Sequence, residues 1–190
     1  MGFLDALLGR SKPVAPDLDA LFALPSAAVT LEATTGLRPT GTGAVCLKPA
    51  EGADFAAAQT EVVGLLGLDQ PTQQERDSFG YLWTTAHTTS DRLSEVVTGL
   101  HAANTTYERA GFGPSLLCSV VAFAGDVDGT PRSVGLVYLY KRGTFYPFAP
   151  LPGEKRDTAL ELQVRAALGS DLKVEPDLSR WFPVWGAPGL

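Results

Sequence analysis

The sequence predicts an α+β fold: one domain, with an antiparallel β-sheet and helices packed on it. Three observations lead there. Strand-like segments follow one another through short turns over residues 115–150, the pattern of antiparallel neighbours. Helical apolar stripes precede and follow them, at residues 53–68, 91–109 and 157–168. A chain of 190 residues with 45% hydrophobic and 19% charged content can bury one core of ordinary size. No repeat and no low-complexity linker divides it.

In chain order, "GFLDALLGR" sets Phe3, Leu4, Leu7 and Leu8 at helical spacing with Asp5 opposite, a short amphipathic helix over residues 1–12. "SKPVAP" breaks it. Asp17 is placed to cap "LDALFAL", which Pro25 should end or kink. "SAAVTLEATTG" reads as helix, although its alternation also suits a strand. "GLRPTGTGAVCLKP" reads as two short strands around a glycine turn. "ADFAAAQTEVVGLLGL" is a helix with Phe55, Ala58, Val62, Leu65 and Leu66 on one stripe. "DQPTQQERD" reads as a polar loop and "SFGYLWTTAHT" as a strand.

Ser90 or Asp91 should cap a helix running to about Arg109, with Leu93, Val96, Val97, Leu100 and Tyr107 inward and Gly111 ending it. A hairpin follows, with Asp-Gly in its connection. Pro147 puts the next strand at a sheet edge, since proline cannot donate to a ladder. The last helix spans Asp157 to Leu168, stopped by Gly169. Residues 91–168 thus read as a helix–three strands–helix core, and Asp177 caps a final turn before "RWFPVWGAPGL".

The formal charge of −6 is uneven: residues 1–95 hold 12 acids and 6 bases, residues 96–190 hold 9 of each. A nucleic-acid binder would normally present a basic face, so that class is set aside. No apolar run approaches the roughly 20 residues of a membrane-spanning helix. The N-terminus does not read as a secretory signal, and a cytoplasmic location is expected. Cys46 and Cys118 both sit in apolar, strand-like surroundings and read as buried, reduced residues, with a disulfide or reactive thiol as the alternative.

Catalytic signatures are missing from the sequence. There are two histidines, His87 and His101, and neither they nor the cysteines stand at metal-ligand spacing. Nucleophile-elbow, phosphate-loop and dinucleotide motifs are absent. No metal or cofactor is expected, and the balance is against an enzyme. Asp157, Glu161 and Arg165 stand at i, i+4 and i+8, which reads as a solvated charge ladder. The alternative is a pocket in which Arg142, Glu161 and Arg165 grip a small anion, with Glu161 as an acid–base group.

The chain places Tyr138, Tyr140, Phe145, Tyr146 and Phe148 around Lys141 and Arg142, and adds Trp181, Phe182 and Trp185 near position 190. Strand alternation sets Val137, Leu139 and Lys141 on one face, which reads as core. Leu136, Tyr138, Tyr140 and Arg142 take the other, which needs a cover. That cover is a helix, the Trp181–Trp185 segment or a partner. Tyrosine, tryptophan and arginine dominate binding hot spots, so the candidate surface is Tyr138, Tyr140, Lys141, Arg142, Tyr146, Phe148, Arg156, Trp181 and Trp185. The amphipathic residues 1–12 leave a weak membrane-surface contact open as well.

The segments "MGFLDALLGRSKP", "LDALFALPSAAVTLE", "GFGPSLLCSVVAF", "LVYLYKRGTFYPFAP" and "EPDLSRWFPVWGAPGL" resemble the PspA-associated PspAB family of actinobacteria and some other prokaryotes. The resemblance spans essentially the whole chain. It implies an accessory protein associated with PspA, the membrane-remodelling effector of the phage-shock envelope-stress response. It implies a protein partner, PspA or a membrane-associated stress protein, and a cytoplasmic place that becomes membrane-associated through that partner. It assigns no catalytic residue. The helix–three strands–helix order is similar to that of secretion-chaperone-like and YbjN-like domains.

Overall fold

The central strands carry near-continuous apolar runs, Ala44–Leu47 and Val120–Phe123 among them, which gives the sheet two faces that both avoid water. The structure, a computed structural model, describes residues 16–190. The helix expected over residues 1–12 lies outside them. Among the described residues six strands form one sheet: β1 (Arg38–Leu47), β2 (Gln73–Arg76), β3 (Leu82–His87), β4 (Leu116–Val127), β5 (Thr130–Leu139) and β6 (Thr144–Phe148). Their order is β2-β3-β1-β4-β5-β6 and every pairing is antiparallel. A short pair, β7 (Pro150–Leu151) and β8 (Lys155–Arg156), stands apart. The α+β architecture predicted from sequence is the one observed.

Four α-helices cover one face: α1 (Leu24–Thr35), α2 (Ala53–Leu66), α3 (Leu93–Arg109) and α4 (Thr158–Leu168). Their buried side chains, such as Leu31, Val62, Leu100 and Val164, share a core with Val45, Phe123, Leu136 and Tyr138 of the strands. The opposite face carries Ala44, Cys46, Trp83, Val120, Val137 and Phe148, and none of the four α-helices described contributes a buried residue to it. There the cover is the irregular segment after Val174, through Trp181, Val184, Trp185, Ala187 and Leu190.

Several local expectations change. A 3-10 turn over Leu18–Ala23 runs straight into α1, and Pro25 sits in the first turn of that helix rather than ending one. Proline suits this position because its missing N–H would have no partner there. Asp17 makes no side-chain cap; its carbonyl instead accepts from the Tyr138 hydroxyl at 2.7 Å. "GLRPTGTGAVCL" is one strand, not two. Its glycines build a bulge between Pro39 and Gly43, where the register against β4 shifts. The polar "QQER" is the fully exposed edge strand β2. The Asp128-Gly129 connection of the long hairpin is as expected: both residues have positive φ, 51° and 77°, which matches the twist of the flanking strands.

Gly43 fixes how closely α3 lies on β1. A Cβ there would stand 2.4 Å from a methyl of Val96 and 3.2 Å from one of Leu100. Both neighbours are fully buried and have little room to move. Gly43→Ala is therefore expected to destabilise the protein by about 1–3 kcal/mol, read as a lower denaturant midpoint at unchanged m-value.

Candidate functional site

The irregular cover is held at both ends. At its start, Asp177 accepts from the Ser179 N–H at 3.0 Å and caps a 3-10 turn over Leu178–Arg180, as its sequence position suggested. That turn delivers Trp181 into the protein. Its ring stacks on Tyr146 at 6.0 Å between centroids, and its indole N–H donates to the Glu175 carbonyl at 3.0 Å. The Tyr146 hydroxyl donates to the Phe182 carbonyl at 2.7 Å, and Arg156 donates to the Trp181 carbonyl at 2.5 Å. At the far end Gly189 lies so close to the sheet that a Cβ would meet Ala122 at 2.8 Å.

Between these anchors, Phe182, Pro183, Val184 and Trp185 form one wall of a cavity of about 490 Å³. Cys46, Trp83, Cys118 and Leu139 line it from the sheet, and Phe79 and Tyr81, just before β3, add to the lining. Phe79 and Phe182, 71% and 60% exposed, bring it to the surface. Lys141, Arg142, Arg180 and Asp77 complete the lining. Asp77 is already committed: it accepts from the backbone N–H groups of Phe79 and Tyr81, each at 2.9 Å, and from the Trp83 indole at 3.0 Å. Arg142 pairs with Glu175 at 2.6 Å and Arg180 with Asp177 at 3.1 Å. Lys141 is exposed and makes no ion pair among the described residues.

Cys46 and Cys118 are free thiols that face each other in register across β1 and β4. A hydrogen bond with Cys118 and burial push the Cys46 thiol far above its usual pKa. It stays protonated and is a poor nucleophile. Glu175, fully buried, titrates below the usual range: burial alone would raise it, but bonds from Arg142, Thr144 and the Asp177 N–H outweigh that.

The aromatic set predicted from sequence divides between the two faces. Tyr138 and Tyr140 lie under the helices, 1% and 4% exposed, with their hydroxyls spent on Asp17 and on Glu108 at 2.5 Å. The tyrosine face is thus covered by helices, one of the covers the sequence allowed, and the irregular segment after Val174, the strap, covers the aliphatic face instead. Tyr146 and Phe148 of β6 do come together with Trp181 and Trp185 of the strap, with Arg156 over the Phe148 ring at 5.2 Å. Of the nine, Lys141 and Arg142 line the cavity alongside Tyr146 and Trp185.

The residues of the small-anion pocket are not brought together. Arg142 is on Glu175; Arg165 lies over the Trp181 ring at 5.9 Å and beside a crevice of about 10 Å³. Glu161 is buried, accepting from Arg156 and from the Ala149 N–H, both at 2.9 Å. It turns inward because these donors satisfy it, so Asp157, Glu161 and Arg165 form no solvated ladder. Sequence reasoning missed Asp77, Phe79, Tyr81 and Trp83. Alternation in "YLW" was the available signal, since it sets Tyr81 and Trp83 on one face.

Residues 1–189 match the family model described as PspAB, PspA associated protein B. The chain belongs to the PspAB family. No curated protein and no solved structure matches it. The family's name indicates association with PspA, which fits an accessory role. Among the described residues, no helix is long and apolar enough to cross a membrane, and no three histidine, cysteine or acidic side chains are grouped to hold a metal.

Two outcomes follow from the buried polar groups. Burial pushes Tyr138 up to about 12, and also raises Tyr107, Tyr140 and Tyr146. A group raised on folding stabilises fully below its unfolded pKa, near 10, and loses that contribution as pH climbs through its folded value. The melting temperature should fall steadily above about pH 10, with tyrosinate absorbance appearing together with unfolding. Glu175→Ala strands the Arg142 guanidinium and should lower stability by about 3 kcal/mol in urea titration.

Proposed function

We propose that this chain is a non-enzymatic accessory protein of an envelope-stress system, acting in the cytoplasm by recognising a protein partner. The partner is PspA or a membrane-associated stress protein, through which the chain reaches the membrane. The observation that carries the reading is the family match over residues 1–189. The absence of a catalytic motif in the sequence agrees with it.

The recognition surface we propose is the cavity mouth, within the region of the nine residues predicted from sequence but shifted toward its exposed members. Phe79 and Phe182 stand in solvent there, beside Lys141 and the half-buried Arg142. Exposed aromatics next to Lys141, which makes no ion pair among the described residues, suit an apolar partner side chain beside an acidic group. Phe148 and Trp181, buried on the same face, act as the rigid backing of that surface, and Tyr138 and Tyr140, on the helix-covered face, take no part in it.

The test is a pull-down of PspA with purified chain, comparing wild type with the Phe79→Ser, Phe182→Ser double variant. Both side chains are mostly exposed, so the melting temperature should change little. Capture is expected to weaken at least about tenfold, the size of a single hot-spot loss. Undiminished capture would move the surface elsewhere, and no capture by wild type would remove PspA as the direct partner.

A further inference from the structure

We propose that the cavity under the strap is a binding site for a small apolar anion, a single medium-length aliphatic chain ending in a carboxylate. This goes beyond partner recognition and does not depend on it. The cavity's volume, about 490 Å³, lies within the roughly 300–1,000 Å³ of small-molecule sites. Its lining is mostly apolar, and the Tyr81 hydroxyl and Trp185 indole N–H are the uncharged polar side-chain groups in it that make no hydrogen bond among the described residues. The Trp83 indole N–H is spent on Asp77, and the Tyr146 hydroxyl on the Phe182 carbonyl. Leu139 and Val184 are aliphatic, and the two thiols are weak hydrogen-bonding groups. The body of the ligand must therefore be apolar, because a buried polar group would lose its water without replacement. An apolar cavity of this kind is costly to hydrate and takes apolar guests readily.

The charge at the mouth selects the headgroup. Arg142 and Arg180 already have carboxylate partners, and Asp77 has its three donors. Lys141 is the cation in the lining that has no carboxylate partner among the described residues, and it is exposed. An anion can pair with it at the water boundary while its chain enters between Trp83 and Trp185. A cationic headgroup would meet the unpaired Lys141 ammonium at the same boundary.

The purified full chain can be titrated with decanoate, decanol and decyltrimethylammonium, reading the emission of Trp83 and Trp185 and displacement of a bound anilinonaphthalene sulfonate dye. Decanoate should bind saturably, and at least ten times more tightly than decyltrimethylammonium. Lys141→Glu should weaken decanoate at least tenfold and leave decanol unchanged. Leu139→Trp should fill the cavity and abolish binding of all three. If that variant fails to fold, Val184→Trp on the strap tests the same space from the other wall. Equal binding of the three amphiphiles, persistence of binding in the folded tryptophan variant, or no saturable decanoate signal would each overturn the assignment. No protein partner is present in the assay, so the result stands apart from PspA capture.

Discussion

A six-stranded sheet with apolar side chains on both faces must be covered twice, and the four helices described supply one cover. The other is irregular chain, which cannot satisfy its own backbone as a helix does. It has to borrow donors and acceptors from the layer beneath. Tyr146 and Arg156 provide them, tying strap carbonyls to β6 and β8, while the Trp181 indole donates within the strap to the Glu175 carbonyl. The position of everything above the sheet depends on this stitching, including the cavity.

Two buried acids organise the stitching. Glu175 gathers Arg142 from the β5–β6 turn and Thr144 from β6, while Glu161 joins α4 to Arg156 and to the Ala149 N–H. Buried ion pairs add little net stability compared with apolar packing, but each demands one geometry. Here they set the register of the strap against the last hairpin strand. Phe145 extends the same connection through backbone bonds with Lys173 and Glu175.

The helices and the long hairpin were legible because each is written locally: a 3.6-residue stripe in residues 93–107, and Asp-Gly between two alternating runs. β2 was not, because "QQER" is exposed on both faces and its strand character comes only from pairing with β3. The glycines of "TGTG" looked like a turn because their purpose, admitting α3 at Gly43 and bending one strand, lies in distant residues. The clustering of Tyr146, Phe148, Trp181 and Trp185 could be anticipated from composition. Which face the strap would choose could not, since Tyr138 and Val137 differ only in what later folds over them. Glu161 misled for a related reason: its helical spacing said solvent, and its donors come from residues 149 and 156.

The bulged strand, the helices and the hairpin all precede the strap in the chain, and this has a consequence during synthesis. Domains begin to fold while the ribosome is still adding residues. A nascent chain that has reached Leu168 holds every strand and helix of the main core, yet Ala44, Cys46, Val120 and Phe148 still face water. For the time it takes to add the segment around Trp181 and Trp185, the intermediate presents a flat aromatic and thiol-bearing sheet surface to the cell. The interval is short, but it is the stage at which this protein is most exposed to wrong partners, chaperones and oxidants.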